Sequence, residues 1–234
     1  MKNTLLSILV VVALYGVASA GSSLRVSNSH YDFGWMPYNS TVVHYFWFKS
    51  VGNDTLHIDP VNTRSDVARM PLEQTWLAPG DSMKVAAYWD TGSKGQAVER
   101  RMIVVTDSYV DDPQELLLKG IAVVKPDSLR PVLILPYKLE FSRLGAMSID
   151  SISFVMTNYS DRDFELELVS VLPDEVEIFI PDSLGAREEK TGYVKVIPSF
   201  QNSEFLTSIT IQLTNATNYQ KRITIPIRRK IYSE

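Results

Sequence analysis

The stretch FGWMPYNSTVVHYFWFKSVGNDTLHI, residues 33–58, places aromatic and β-branched side chains on alternate positions and then breaks at Gly52-Asn53-Asp54. Successive side chains of a strand point to opposite faces, and this alternation predicts a strand. The Gly-Asn-Asp segment predicts a hairpin turn, after which residues 55–61 return as the next antiparallel strand. One face of the first strand carries Val42, His44, Phe46 and Phe48, and the other carries Val43, Tyr45, Trp47 and Lys49.

Turn and strand signals continue along the first half of the chain. Residues 77–82, LAPGDS, predict a second turn, and alternating segments predict strands over residues 83–89, 100–106 and 115–123. No convincing helical period follows the N-terminal segment. Short strands separated by turns at this spacing are typical of an antiparallel β-sandwich, so the sequence predicts an all-β fold.

The hydrophobic pattern of the first half returns 108 positions later without a gap. Phe33 falls on Phe141, Phe46 on Phe154, Phe48 on Met156 and Leu56 on Phe164. This duplication predicts two tandem immunoglobulin-like antiparallel β-sandwich domains, at residues 24–123 and 132–232, joined by a proline-bounded linker at residues 124–131. Each half is expected to fold separately. Pro226 predicts that the last strand ends there or lies at a sheet edge.

The first 20 residues have the pattern of a cleaved secretory signal peptide. Lys2 precedes an apolar run at residues 5–17, and Ala18-Ser19-Ala20 fits the small-residue pattern at which signal peptidases cut. The apolar run of 13 residues is too short for a comfortable membrane span and no second long apolar segment follows, so we expect no span. The chain has no cysteine, so we expect no disulfide and no cysteine-linked lipid anchor. We therefore expect an exported protein, periplasmic or secreted. A formal net charge of -4 argues against nucleic-acid binding.

The order of motifs in the first half resembles a known family. The motifs are Tyr31-Asp32-Phe33-Gly34, the strand pattern from His44 to Ile58, the Leu77-Ala78-Pro79-Gly80-Asp81-Ser82 turn, Thr91-Gly92 and Ile103-x-Val105-Thr106. In this order, residues 28–123 are similar to exported bacterial immunoglobulin-like domains of unknown function (domain of unknown function 1573 type), related to the ASH, HYDIN and major-sperm-protein group. Many members carry Cys-Gly-Cys where this chain has Ser65-Asp66-Val67, so no thiol chemistry is expected here.

Residue types that carry catalysis are sparse. The three histidines, His30, His44 and His57, have no carboxylate or second histidine at a spacing typical of a metal site or a nucleophile pair. His44 lies on the apolar face of its strand, and we interpret it as a core residue. We expect that the protein is not an enzyme and that it binds no metal and no organic cofactor.

A basic cluster near the C-terminus has two interpretations. It either contacts anionic lipid or acidic partners, or it protects a sheet edge from aggregation. The edge interpretation is favoured, because strand residues beside an edge often carry such charges. The cluster consists of Lys221, Arg222, Arg228, Arg229 and Lys230.

The outward face of the strand at residues 42–49 predicts an interaction surface. A sandwich does not need a tryptophan on its solvent face, and grouped exposed aromatics often mark a contact surface. We predict that Tyr45 and Trp47, with Trp35 and Tyr38 of the preceding segment, form a partner-binding or domain-docking face. The alternative is that the loop with Trp35 and Tyr38, or the second domain, folds over the other two aromatics.

Five turn-to-strand junctions fit the pattern Asp-Ser/Thr-hydrophobic. The pattern resembles the acceptor of a periplasmic O-glycosylation system found in some bacteria, and it is also an ordinary way for a turn to enter a strand. Both interpretations stay open. The hydroxyl residues are Thr55, Ser82, Ser128, Ser151 and Ser183.

These observations favour a non-catalytic structural or protein-interaction module of the bacterial cell envelope, with an envelope protein of unknown identity as its partner. The alternative is a periplasmic assembly chaperone, because pilus chaperones also have two immunoglobulin-like domains and a turn that resembles Leu77-Ala-Pro-Gly. The residues that anchor a subunit's C-terminus in those chaperones are not found in this chain, nor is their double proline.

Overall fold

The computed structural model describes residues 21–92, 97–108, 113–125 and 129–232. The predicted signal peptide at residues 1–20 and Ser128 lie outside the described residues. Within them, the secondary structure is 19 strands and one single-turn 3-10 helix at Pro198–Phe200. No helix in these ranges is long and apolar enough to cross a membrane. The prediction of an all-β, immunoglobulin-like fold is confirmed.

The strands fall into two groups that we call the first repeat (residues 24–123) and the second repeat (residues 132–232). The first repeat contains β1 (Leu24–Val26), β2 (His30–Pro37), β3 (Thr41–Ser50), β4 (Leu56–His57), β5 (Ala68–Arg69), β6 (Trp76–Leu77), β7 (Ser82–Asp90), β8 (Ala97–Val104) and β9 (Gln114–Val123). The second repeat contains β10 (Val132–Leu135), β11 (Leu139–Leu144), β12 (Met147–Ile149), β13 (Ser151–Asn158), β14 (Phe164–Leu168), β15 (Val176–Phe179), β16 (Ser183–Leu184), β17 (Glu189–Val196), β18 (Phe205–Thr214) and β19 (Gln220–Tyr232).

The predicted 108-residue repeat is reproduced by the strands themselves. β1 and β8 begin at residues 24 and 97, and their counterparts β10 and β18 begin 108 positions later, at residues 132 and 205. The sheet order β1-β3-β7-β5 recurs as β10-β13-β17-β15. Each repeat has its own cluster of buried apolar side chains. The strand starts and the sheet order agree with the predicted repeat, and the division into two domains that fold separately stays a prediction.

The break after β3 is not the predicted hairpin. β3 pairs with β1 and β7, whereas β4 pairs with β6. The turn leads the chain from the sheet that contains β3 to the two-stranded sheet of β4 and β6. It packs on residue 21, where the backbone amide of Asn53 donates to the Gly21 carbonyl over 3.1 Å. A side chain at Gly52 would clash with that same carbonyl. Ile58 then forms an isolated bridge with Thr106, two residues after β8 ends. The predicted strand over residues 55–61 is therefore only the two residues of β4.

A mixed nine-stranded sheet joins the two repeats. Its main path is β16-β14-β18-β19-β2-β9-β8, and β11 and β12 lie off this path. β19 pairs along one side with β18, and on its other side with β2 at Ile223 and with β11 from Ile227 onward. The final strand is therefore central, and the prediction that Pro226 ends it or places it at an edge is wrong. Pro226 lies where the neighbour of β19 changes from β2 to β11, a break at which a missing N–H is tolerated.

The basic residues of β19 accordingly do not protect an edge. Arg229 is buried, and its Nη2 lies 2.8 Å from Asp150 Oδ1. Lys221 is also buried, and its Nζ donates over 2.7 Å to the Leu129 carbonyl. Both cations bind acceptor groups inside the fold, and Arg228 is the one residue of this cluster that is exposed.

The contact between the repeats, which we call the seam, is made by hydroxyl groups and by close backbone approach. Thr224 Oγ1 donates to the Phe33 carbonyl over 2.6 Å, and the Val43 amide donates to Ser208 Oγ over 2.9 Å. At Gly34, whose φ is +64°, a Cβ would clash with the Arg222 carbonyl. The absence of a side chain at this glycine lets β2 and β19 approach each other.

Replacing Gly34 by Ala tests the seam. We expect a loss of unfolding free energy from the positive φ, about 1–2 kcal/mol, and a further loss of about 1–3 kcal/mol from the clash with Arg222. The matched control is Gly80→Ala, because Gly80 also has a positive φ (+85°) but has open space around it. Urea unfolding measures both variants. Equal losses of unfolding free energy in the two variants would contradict the close approach of β2 to β19 at Gly34.

Candidate interaction surface

The outward face of β3 changes from buried to exposed along the strand. Val43 is 2% exposed, Tyr45 is half-buried and Trp47 is 43% exposed. The backbone of Val43 bonds Ser208, so the second repeat covers this end of the strand. The inward face, with Val42, Phe46 and Phe48 fully buried, is the predicted core face.

Tyr45 stands at the boundary between the covered and the open part of this face. Its hydroxyl lies 3.2 Å from Thr207 Oγ1 of the second repeat, and Lys84 Nζ lies 4.5 Å from the centre of its ring. Burial raises the pKa of Tyr45 to about 12. Tyr45 therefore contacts the second repeat, and a partner-binding or domain-docking role for this face stays a prediction.

A trough of about 540 Å³ lies over the β3–β7 face, between the repeats. Its floor is formed by the outward side chains of β3 and β7, and residues 71–74 of the first repeat and residues 174–175 of the second line it as well. We call this cleft the inter-repeat trough. The floor residues are Tyr45, Lys84, Ala86 and Tyr88.

The charges in the inter-repeat trough are mainly negative. Three carboxylates, Glu73, Asp174 and Glu175, line it together with a single ammonium group, Lys84. Lys84 Nζ lies 2.8 Å from Asp174 Oδ2, a pair that links the repeats. Burial is the main cause that raises the pKa of Glu175. Its Oε2 is buried and has no hydrogen-bond partner among the described residues.

Two large apolar side chains are exposed beside the trough, one from each repeat. Trp47 is paired in register with Lys84. Leu172 is 61% exposed, and its carbonyl accepts a hydrogen bond from Lys84 Nζ over 3.5 Å. Lys84 therefore neighbours Trp47 across the strands and bonds the main chain of Leu172. The sequence did not predict Leu172 or the carboxylates, because nothing local indicates that residues 172–175 lie over β7.

The other two residues of the predicted surface lie elsewhere. Trp35 is on β2, and Lys221 Nζ lies 3.6 Å from the centre of its ring. Tyr38 follows β2, and Lys138 Nζ donates to its carbonyl over 2.7 Å. Both are in contact with cations of the second repeat. The structure therefore keeps Tyr45 and Trp47 on one face and assigns Trp35 and Tyr38 to contacts between the repeats.

Comparisons with known proteins bear on the first repeat most directly. Residues 24–122 match the family described as protein of unknown function (DUF1573). The predicted resemblance is confirmed. A comparison with curated proteins found no match.

Similar solved structures share low sequence identity with this chain. A protein of unknown function from Porphyromonas gingivalis W83 is 9% identical, with a TM-score of 0.39, over 88% of this chain and 99% of that one. The PapD-like domain 7 of human CEP192 is 11% identical, with a TM-score of 0.38, over 53% and 99%. The Escherichia coli chaperone DraB is 10% identical, with a TM-score of 0.32, over 87% and 97%. Likeness at this level gives no information on function.

The predicted hydroxyl acceptors lie at strand starts, as expected from the sequence. Ser82, Ser151 and Ser183 each begin a strand, and Thr55 directly precedes β4. Thr55, Ser82 and Ser151 are exposed and Ser183 is half-buried, while Ser128 is outside the described residues. Glycosylation at these positions stays a prediction.

The histidines have different surroundings. His44 is buried in an aromatic cluster, with its ring stacked 3.6 Å from the ring centre of Tyr31, which confirms that it is a core residue. His30 and His57 are exposed. In the described part of the chain, no group of three or more His, Cys, Asp or Glu side chains lies close enough together to hold a metal ion.

The buried His44 should make stability depend on pH. Burial, with a smaller contribution from Arg222, lowers its pKa from 6.5 to about 3. The unfolded chain therefore binds a proton at a higher pH than the folded chain, and stability is lost as the pH falls from about 6.5 toward 3. Uptake of one proton on unfolding changes the unfolding free energy by up to about 1.4 kcal/mol per pH unit.

Replacing His44 by Phe should remove this contribution, so that the unfolding free energy falls less steeply with decreasing pH in this window. His57→Gln is the matched control, because it also removes one histidine, at an exposed position outside the aromatic cluster. Urea unfolding at several pH values measures the slopes. The same slope in His44→Phe and in the wild type would show that His44 does not contribute.

Proposed function

We propose that this protein is a non-catalytic protein-interaction module of the bacterial cell envelope and that its inter-repeat trough binds a segment of an envelope partner. The observation that carries the proposal is the trough itself, lined by both repeats and flanked by the exposed side chains of Trp47 and Leu172. The signal-peptide pattern supports export. The match of residues 24–122 to the family is consistent with a domain that has no assigned activity.

The shape of the trough suits an extended segment of a partner. Its floor is part of a sheet face and includes the aromatic rings of Tyr45 and Tyr88. Exposed aromatic side chains, and tryptophan above all, contribute large shares of binding energy at interfaces. Trp47 and Leu172 would be covered by the bound segment and so provide its apolar contacts.

The charges of the trough indicate the chemistry of that segment. Glu73 and Glu175 form no ion pair among the described residues, and Lys84 is already paired with Asp174. A partner segment with a lysine or arginine beside apolar residues would complement this surface. Oε2 of Glu175, which lacks a hydrogen-bond partner among the described residues, is the atom that such a donor would satisfy.

Non-catalytic character is also part of the proposal. It is supported by the structural role of His44 and by the structural pairing of Lys221 and Arg229. We expect purified protein to bind no stoichiometric metal or organic cofactor. Elemental analysis and absorbance spectroscopy of native material measure this, and one equivalent of zinc or iron would overturn it.

The trough is tested with the double variant Trp47→Thr, Leu172→Ser. Because both side chains are exposed, the unfolding free energy should change by less than about 1 kcal/mol, while capture of the partner should fall at least about tenfold. The measurement is chemical crosslinking in native envelopes, followed by mass spectrometry. The control is Trp76→Thr, Leu144→Ser, which removes the same two residue types at exposed positions that do not line the trough.

The identity of the captured protein separates the two functions considered. Loss of one envelope protein in the trough variant and not in the control supports the interaction module. If that protein is a fimbrial or secretion subunit, the result favours the assembly-chaperone alternative over the interaction module. Equal capture by both double variants would mean that the trough is not the binding site.

A further inference from the structure

The second repeat carries an apolar surface of its own. Each strand of the sheet β10-β13-β17-β15 contributes one side chain to it: Leu135, Val155, Tyr193 and Phe179. Leu135 is 43%, Tyr193 38% and Phe179 47% exposed, and Val155 is half-buried. We call these four residues the apolar band. It lies on the second repeat alone and is separate from the inter-repeat trough.

The register of the strands makes the apolar band continuous. Leu135 is paired with Val155, and Tyr193 is paired with Phe179. Val155 is paired with Thr191, two residues from Tyr193, so Val155 and Tyr193 are diagonal neighbours on one face. The rings of Phe179 and Tyr193 stack with centroids 5.4 Å apart and an angle of 20° between their planes. The band is therefore a continuous surface across four strands, with its aromatic end held by stacking.

The internal repeat indicates what covers a face of this kind. The apolar band lies on the face that corresponds to the outward face of β3 and β7, since Val155 stands 108 positions after Trp47. In the first repeat, that face is where another immunoglobulin-like repeat docks, and the docking leaves Val43 2% exposed. No described residue covers the band in the second repeat, as the exposure of its side chains shows.

The charges beside the band favour a second copy of the same chain. Glu177 and Lys195 are directly paired in register, on the same face as the band and next to Phe179 and Tyr193. Glu189, farther along β17 on the same face, accepts a hydrogen bond from Thr157, so this face carries charges of both signs and does not select a partner of uniform charge. Across a two-fold axis, Glu177 of one copy can meet Lys195 of the other, so the surface is complementary to itself.

We propose that the apolar band binds the apolar band of a second copy, which forms a two-fold symmetric dimer through face-to-face packing of the β10-β13-β17-β15 sheets. Packing of two sheets through interdigitating apolar side chains, about 10 Å apart, is a standard arrangement in β-proteins. The two copies are related by symmetry, so each contributes the same residues and the assembly closes at two.

Sedimentation velocity over a range of protein concentrations tests the dimer. The wild-type chain should pass from monomer to dimer, and the double variant Phe179→Ser, Tyr193→Ser should dimerise at least about tenfold more weakly. The control is Met147→Ser, Tyr232→Ser, which removes two exposed side chains elsewhere on the second repeat and should dimerise like the wild type. A chain that stays monomeric, or a dimer that persists in the band variant, would overturn the proposal.

A second measurement does not depend on the folding of the double variant. The chain has no cysteine, so a single introduced cysteine reports only its own contacts. Ser153 is paired with Tyr193 beside the band, and Ser153→Cys should form a disulfide-linked dimer under mild oxidation. Ser203→Cys, at an exposed position on the second repeat outside this sheet, is the control. Equal crosslinking of the two cysteine variants would mean that contact through the band is not specific.

Discussion

The shared strand β19 is the constraint on which the arrangement of this protein depends. Along one side it pairs with β18 of its own repeat, and on the other side it pairs with β11 of its own repeat and β2 of the first. Sandwiches joined only by a linker would be expected to move relative to one another. A strand that belongs to both hydrogen-bonded ladders makes one continuous sheet instead. The position of the second repeat over β3 follows from this pairing.

The seam places hydroxyl side chains where a sandwich normally meets solvent. In β18 and β19, Ile209, Ile211, Ile223 and Ile225 face the core of the second repeat, and Ser208, Thr210 and Thr224 lie on the opposite face. Ser208, Thr210 and Thr224 are almost fully buried, because the first repeat covers them. A buried hydroxyl is costly without a partner, and each of these has one: Ser208 bonds Val43, while Thr210 and Thr224 are 2.8 Å apart. The seam is therefore a polar contact in which these three hydroxyls each have a hydrogen-bond partner.

The inter-repeat trough is a consequence of the seam. Once Thr207 and Ser208 hold β3, the loop at residues 172–175 is brought over β7, and Lys84 pairs with Asp174. This ion pair is partly exposed, so it contributes little to stability, and its effect is to define the trough. The docking of the second repeat covers part of the outward face of β3 and β7, and nothing in the described residues covers the corresponding face of β13 and β17. The duplicated face of the second repeat keeps its aromatic side chains in solvent, which distinguishes the two halves of a chain whose strands repeat closely.

The sequence by itself determined the strand content, the core faces and the repeat, because side chains alternate along a strand and this period can be counted locally. It placed Phe46 and Phe48 in the core, with Phe154 and Met156 as the matching apolar positions 108 residues later, and all four are buried. Only the tertiary structure decided which strands are neighbours. The hairpin predicted after β3 and the edge predicted at Pro226 were wrong for this reason. The bond from Thr224 to Phe33 spans 191 residues. The local sequence pattern of an outward-facing threonine is the same whether solvent or another repeat lies opposite it. The seam and the trough therefore depend on long-range contacts that a local pattern does not predict.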